Sequence, residues 1–368
     1  MYSGAFLLLY FFGVCTISYF SIISVKSFAI TYKLKTEVKE RDLHDKKVIK
    51  ILGVTFVTTL IFCSLFYISY FDVTLYSTIV LGGLIITICG FRDDLTQLRP
   101  ITKLALQLIA LSILIIPNEL QIENLYGFLG IHGVPELLQY PITFFTGIFM
   151  INSFNLIDGI DGNAGLNALL VFAAFSLLFL ELDIVKMFGL SFVMACQMLI
   201  FLPMNIRKTN KVLMGDSGSL FLGFMIFFFS IYFYKNHSDV LFIYISDPIL
   251  VPLLPIALFT LPLIDTLSVI IYRSSNRRMF YVPDNYHAHH VILFYTKSHF
   301  LATLWLNATS GIIFFIPFLL LNSIEPLSVY YLYFSLLLLG ILTIGILRKK
   351  MIRKIELDKI NQITQNAI

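Results

Sequence analysis

Ser217-Gly-Ser-Leu-Phe-Leu-Gly-Phe-Met-Ile-Phe-Phe-Phe-Ser-Ile-Tyr-Phe-Tyr234 runs for eighteen residues without a charge, with Gly215-Asp216 just before it and Lys235 just after. A helix needs about 20 mostly apolar residues to cross a hydrocarbon core roughly 30 Å thick. This stretch therefore reads as a membrane span with a polar group at its entry. Working outward, comparable runs fall near 3–25, 49–70, 73–90, 101–117, 141–154, 165–181, 187–204, 249–271, 300–321 and 326–347. Apolar residues make up 58% of the 368 residues and charged residues only 13%. A soluble domain carries about 25% charged residues, so water is not the main solvent here. The fold class is all-α, a polytopic integral membrane protein of about eleven transmembrane helices.

The basic residues orient those helices. With the N-terminus outside, the inside segments are 26–48, 91–103, 155–164, 205–216, 272–299 and the stretch from 348. Their Lys and Arg counts are 8 (with Lys50 at the edge of a helix), 3, 0, 3, 4 and 6, or 24 of the chain's 26. Only Lys186 and Lys235 lie outside. Cytoplasmic loops carry the excess of Lys and Arg, so the C-terminus is expected in the cytoplasm. A ten-helix arrangement would put Arg348, Lys349, Lys350, Arg353 and Lys354 on the wrong side. No linker or low-complexity tract separates a second domain. The expected organisation is one transmembrane catalytic domain, 1–347, and a basic cytoplasmic tail, 348–368. The stretch Met1–Phe6 has no basic residue before its apolar run, so the first run reads as a permanent helix rather than a signal peptide.

Cys15, Cys63, Cys89 and Cys196 each sit alone in an apolar run without C-x-x-C spacing. Neither a disulfide framework nor a zinc site is indicated. The longest outside loop, 118–140, holds Glu119, Glu123 and Glu136 and no Lys or Arg, and carries no chemistry in this reading.

Five polar clusters interrupt the apolar pattern, and all five map to the inside face. They are Arg41 with His44; Arg92-Asp93-Asp94 with Lys103 and Gln107; Asn152-x-x-Asn155-x-x-Asp158-Gly-Ile-Asp161-Gly162; Lys211 with Gly215-Asp216-Ser-Gly-Ser219; and Arg277-Arg278 with Asp284-x-x-His287-x-His289-His290. An ionised acid at the centre of a membrane helix costs about 2.5–3.5 kcal/mol on the insertion scale. Asp216 alone is explained well enough as a helix cap. Adjacent Asp93 and Asp94 at a helix exit are not, because neighbouring carboxylates repel and recruit a cation. Asn152, Asn155 and Asp158 recur at a spacing of three, which puts them on one helix face. Such oxygen donors suit magnesium, which takes carboxylates, water and substrate phosphates. The Gly-Asp-Ser-Gly-Ser run offers backbone N–H groups at a helix start, a setting that favours phosphate. Arg41, Lys103, Lys211 and Arg278 can neutralise phosphate oxygens, although each alone is also explained by the positive-inside bias. Three histidines within four residues suggest a ligand or phosphate site. Zinc is a weaker reading of them, since its usual ligand spacings are longer.

The order and content of these clusters resemble the polyprenyl-phosphate N-acetylhexosamine-1-phosphate transferases, over about residues 38–292. The resemblance rests on Asn152-Ser-Phe-Asn155-Leu-Ile-Asp158-Gly-Ile-Asp161-Gly together with Met214-Gly-Asp216-Ser-Gly-Ser-Leu-Phe-Leu-Gly223. The ending His287-Ala-His289-His290 looks like the branch that primes O-antigen, teichoic acid or other envelope glycans. It looks less like the phospho-N-acetylmuramoyl-pentapeptide transferases of peptidoglycan synthesis, which stay as the alternative. The resemblance implies attack by undecaprenyl phosphate on a UDP-N-acetylhexosamine, giving the polyprenyl-diphosphate sugar and UMP, with magnesium required and manganese as a substitute. It implies Asp93 as the group that deprotonates or orients the lipid phosphate, with Asp94 assisting or binding metal. Asp216 would ligate metal. Asn155, Asp158 and Asp161 would line the nucleotide and metal site, with Asn155 also a metal ligand. Arg41, His44, Asn152 and Lys211 join the substrate-binding set, Lys103 contacts a phosphate, and Arg278, His287, His289 and His290 hold the diphosphate or sugar. The setting implied is the bacterial inner membrane with the site on its cytoplasmic face. Lipid bilayer and the two substrates are the partners, a homodimer is allowed and no nucleic acid is expected. The chain departs from the family pattern at Gln97, where a further Asp is common, and at Asn163, where Leu is usual. An ion-coupled transporter is the reading from a different class. It would place charges at the midplane within repeated, broken helices, and here the acids gather at one face with no repeat.

Overall fold

The computed structural model of the chain describes residues 4–32, 53–64, 72–236, 248, 250–279, 286–321 and 323–366. Among them there is no β-strand, only a single bridge between Asn124 and Gly133. Helices occupy all eleven apolar runs. Eight are long and apolar enough to cross a membrane, or nine when the pair Leu250–Leu258 and Thr260–Ser275 is taken as one broken span. The run 101–117 forms a 16-residue helix, about 24 Å long at 1.5 Å per residue. The run 49–70 is described only over Gly53–Ser64.

The chain divides into two compact units, residues 1–258 and 259–368. The first contains α1 (Gly4–Thr31), α2 (Gly53–Ser64), α3 (Val73–Thr96), α4 (Pro100–Ile115), α5 (Glu136–Leu156), α6 (Asn163–Glu181), α7 (Val185–Ile206), α8 (Gly215–Asn236) and α9 (Leu250–Leu258). Its centre is α8, the helix of the opening stretch, whose membrane window is wholly buried inside the protein. That burial explains why α8 is apolar on every side rather than amphipathic. Lipid is as apolar as Leu, so close packing rather than water exclusion holds such helices together. Here the packing is aromatic: Phe229 meets Phe172, Phe175 and Phe179 of α6 at ring separations of 5.7–6.0 Å. The outer helices turn large apolar side chains outward, among them Leu9, Phe12 and Phe20 of α1.

Local sequence sets the helix ends near the polar clusters. Asp72 caps α3, accepting from Thr74 N–H at 2.7 Å, the usual N-cap bond. Pro100 stands in the first turn of α4, where its missing N–H is no loss. Two glycines then let α2 and α3 close on the first turn of α8. A Cβ on Gly90 would overlap the backbone of Asp216 and Ser217, and one on Gly53 would overlap the backbone of Ser217 and Gly218.

The second unit contains α10 (Thr260–Ser275), α11 (Ala288–Thr296), α12 (His299–Leu319) and α13 (Pro326–Asn366). Ser298 caps α12, and Pro326 opens α13. The stretch 348–366, expected as a basic tail, continues α13 without a break. Its first residue, Arg348, is buried rather than solvated.

Candidate functional site

In the first unit, the end of α3, the start of α4, the end of α5 and the start of α8 bring their polar side chains together. Asp93 is buried in the last turn of α3. Its Oδ1 accepts the N–H of Leu98 at 2.7 Å, which fixes the turn into α4. Its Oδ2 accepts Lys103 Nζ at 3.1 Å. The same Nζ donates to Asp216 Oδ2 at 3.3 Å. One ammonium, 18% exposed, therefore stands between two carboxylates from helices far apart in sequence. Asn155 reaches the same place from α5, its amide donating to Asp216 Oδ1 at 3.2 Å and to Ser219 Oγ at 2.7 Å.

Asp94 does different work from its neighbour. Its two oxygens accept the N–H groups of Asp216 and Ser217 at 2.9 and 3.0 Å. These are among the four N–H groups that a helix start leaves without an internal partner. The start of α8 was expected to offer such groups to phosphate. Two of them are instead taken by Asp94, and Gly53 and Gly90 hold neighbouring backbone against that turn. The adjacent acids thus divide: Asp94 ties α3 to α8, and Asp93 faces the shared lysine.

The third cluster also divides. Asn152 and Gln107 exchange amide hydrogen bonds of 2.8 and 3.1 Å, tying α5 to α4. Asn155 alone of the two asparagines reaches Asp216. Asp158 lies past the end of α5, in a tight turn where its N–H donates to the carbonyl of Asn155 at 3.3 Å. Asp161 and Lys211 form an ion pair with each other, joining the turn after α5 to the loop before α8. Asn205 supports the same junction, accepting from Gly162 N–H at 2.6 Å and donating to Val212 carbonyl at 2.8 Å. Sequence reasoning passed over Asn205; its signal was an amide at the end of an apolar run, two residues after Pro203. Asn163, a departure from the family pattern, is buried and donates to the carbonyl of Ile157 at 2.9 Å. It closes the turn rather than facing the carboxylates. Arg41 and His44 lie outside the described residues.

The second unit holds its own cluster. His287 Nδ1 lies 2.6 Å from Asp265 Oδ2, and the N–H of Ala288 donates to Asp265 Oδ1 at 2.6 Å. His289 is buried beside them, and the ring of His290 lies 4.4 Å from that of His289. Arg278 is exposed and covers the rings of Tyr272 and Tyr286. Sequence reasoning missed Asp265, although an acid inside the run 249–271 is a signal in itself, since acids in membrane helices are rare and paired.

Among the described residues no three His, Cys, Asp or Glu side chains form a ready-made metal cage. Magnesium seldom needs one, because it is usually held by one or two carboxylates plus waters and substrate phosphates. The oxygen donors around Lys103 are Asp93, Asp216 and the Asn155 amide, while the nearby Cys89 thiol is turned to the Lys103 carbonyl at 4.0 Å. That set fits magnesium or manganese and does not fit zinc.

A family model described as glycosyl transferase family 4 matches residues 76–234. That range takes in every site residue from Asp93 to Asp216 and stops before the histidines. The chain is 30% identical over 324 residues to a decaprenyl-phosphate N-acetylglucosaminephosphotransferase of Mycolicibacterium smegmatis, covering 81% of this chain and 78% of the relative. It is 28% identical over 304 residues to a probable undecaprenyl-phosphate N-acetylglucosaminyl 1-phosphate transferase of Bacillus subtilis, covering 81% and 80%. It is 23% identical over 240 residues to an undecaprenyl-phosphate alpha-N-acetylglucosaminyl 1-phosphate transferase of Salmonella typhi, covering 63% and 62%.

Proposed function

The chain belongs to the glycosyl transferase family 4 polyprenyl-phosphate N-acetylglucosamine-1-phosphate transferases, and from that premise we propose that it transfers an N-acetylhexosamine-1-phosphate from a UDP-sugar to undecaprenyl phosphate. An oxygen of the lipid phosphate attacks the β-phosphorus of the UDP-sugar. The bond from that phosphorus to the bridging oxygen breaks, and UMP leaves with the oxygen. The product is undecaprenyl-diphosphate sugar, the primer of an envelope polysaccharide.

The observation that carries this reading is the convergence of Asp93 and Asp216 on Lys103 at the entry of α8. Two anionic substrates must meet, so the site needs positive charge beside acids able to accept a proton. Lys103 supplies the charge and is already within reach of both carboxylates. Asp93 is the group to orient the lipid phosphate and to take a proton from it at Oδ2. Asp94 acts through the backbone, holding the first turn of α8 so that Asp216 faces Lys103. Asn155 fixes the Asp216 carboxylate from the other side. Asp93, Asp216 and Asn155 would hold magnesium or manganese, which when bound neutralises phosphate charge as a Lewis acid. The Lys and Arg distribution supports a cytoplasmic site in the bacterial inner membrane. One substrate is then met from the aqueous phase and the other from the inner leaflet.

Membranes bearing the protein, given magnesium, undecaprenyl phosphate and a panel of UDP-N-acetylhexosamines, should release UMP with at least one sugar. Silence with every UDP-amino sugar would overturn the proposal. The sugar that works identifies the donor.

A further inference from the structure

Asp265 is 1% exposed and is the one acid of α10. A buried carboxylate needs partners, and both of its oxygens have one. Oδ2 faces His287 Nδ1 at 2.6 Å, and Oδ1 accepts the N–H of Ala288, the first residue of α11, at 2.6 Å. Oδ1 also stands 3.4 Å from His289 Nδ1, in ion-pair range but without hydrogen-bond geometry. One turn further along the same face of α10, Ser268 accepts two bonds from Arg348, at its carbonyl (2.6 Å) and at its hydroxyl (2.7 Å). Arg348 Nε in turn donates to the carbonyl of Tyr286 at 2.7 Å. Residues 286, 287 and 288 are therefore each tied, directly or through Arg348, to a four-residue stretch of α10.

A carboxylate at one ring nitrogen of a histidine decides what the other can do. With Asp265 at Nδ1, the neutral ring keeps its proton there and presents a lone pair at Nε2. The protonated ring presents an Nε2–H donor. In both forms the ring plane is fixed and Nε2 is the atom free of this duty. We propose that Asp265 is a positioning residue that sets the tautomer and orientation of His287, leaving Nε2 as the atom able to meet a phosphate group, with Arg348 as the second tie on the same stretch of chain. Its chemical role rests on the transferase reading above; its geometry does not.

The experiment has two arms. The first is a nitrogen NMR spectrum of the full-length protein carrying 15N-histidine, with His287→Asn to assign the signal. His287 should appear with its proton on Nδ1 in the neutral ring, and Asp265→Asn should change that signal. A neutral wild-type ring protonated on Nε2 overturns the proposal, whatever the enzyme's activity. The second arm is a double-mutant cycle on UMP release. Asp265→Asn and His287→Asn should each lower kcat/KM by about 10- to 100-fold, the usual scale for losing a histidine's orienting partner. The double variant should be no worse than the poorer single one. Losses that multiply would show that Asp265 acts independently of His287, and would also overturn the proposal. If the wild type releases no UMP, the transferase reading fails while the spectrum still decides the geometry.

Discussion

At the Gly215 end of α8, Asp216 and Asp93 share the ammonium of Lys103, and Asn155 and Asp94 hold the same turn from two sides. At the Asn236 end, Lys235 pairs with Glu123 at 2.5 Å, and the Tyr234 hydroxyl donates to the carbonyl of Asn124. Lys186 lies over the ring of Tyr232, 5.8 Å from its centre. Both ends are polar and both are tied to neighbouring elements. The difference is in the balance. The second end is a one-to-one pair at a surface, with Glu123 half exposed, and it closes the loop 118–140 onto the helix. Among the described residues the first end gathers three acids from two helices near Lys103, under partial burial. Buried acids are costly unless hydrogen bonds, a cation or a substrate complete them. Chemistry is expected where acids from separate helices converge, and Lys186 and Lys235, the two basic residues that the topology set apart, both sit at the other end.

The largest effect should come from breaking the first end. Asp216→Asn or Asp93→Asn should cut UMP release by at least about a hundredfold, the scale for removing a preorganised electrostatic group. The protein should still insert, as judged by its yield in membranes. Retained activity in Asp216→Asn would sink its place in the metal site. Gly90→Ala should come next, because the added methyl must push α3 off the first turn of α8. Overpacking of this kind costs about 1–3 kcal/mol, and it should appear both as a lower melting temperature in detergent and as lost turnover. Asn152→Ala sharpens the comparison within the first end. It strands the Gln107 amide at a cost of about 1–3 kcal/mol, read as a lower melting temperature. It should spare more activity than Asn155→Ala, which removes a direct support of Asp216. The smallest effect is at the other end of α8. Lys235→Ala should change stability by only about 0–1 kcal/mol, as exposed ion pairs do, and leave UMP release unchanged.

Much of this was legible in the sequence. The apolar runs marked every long helix among the described residues, because a membrane helix advertises itself by length and the absence of charge; the nine-residue α11 fell in a stretch read as an inside segment. Asp93, Lys103, Asn155 and Asp216 stood out as polar residues at the ends of such runs, and they meet. What could not be read was the division of labour among like residues. Asp93 and Asp94 are indistinguishable as letters, yet a helix turns about 100° per residue, so one carboxylate meets Lys103 and the other meets the backbone of α8. Asn152 and Asn155 share a face, but only the tertiary position of Gln107 shows which one is already satisfied. Arg348 was counted with the basic residues that follow it. Its burial depends on Ser268 and Tyr286, which no local pattern connects to it. Asp265 was visible and was passed over because it stands alone, whereas the other functional groups come in clusters.

The unbroken course of α13 has a consequence of scale. Forty-one residues at 1.5 Å each make a rod about 60 Å long, roughly twice the thickness of a hydrocarbon core. The stretch after Arg348 accounts for about 27 Å of it. Labels attached near Arg348 and near Asn366 should thus keep a separation of about 27 Å, which suits the pair as an internal ruler for distance measurements in the intact protein.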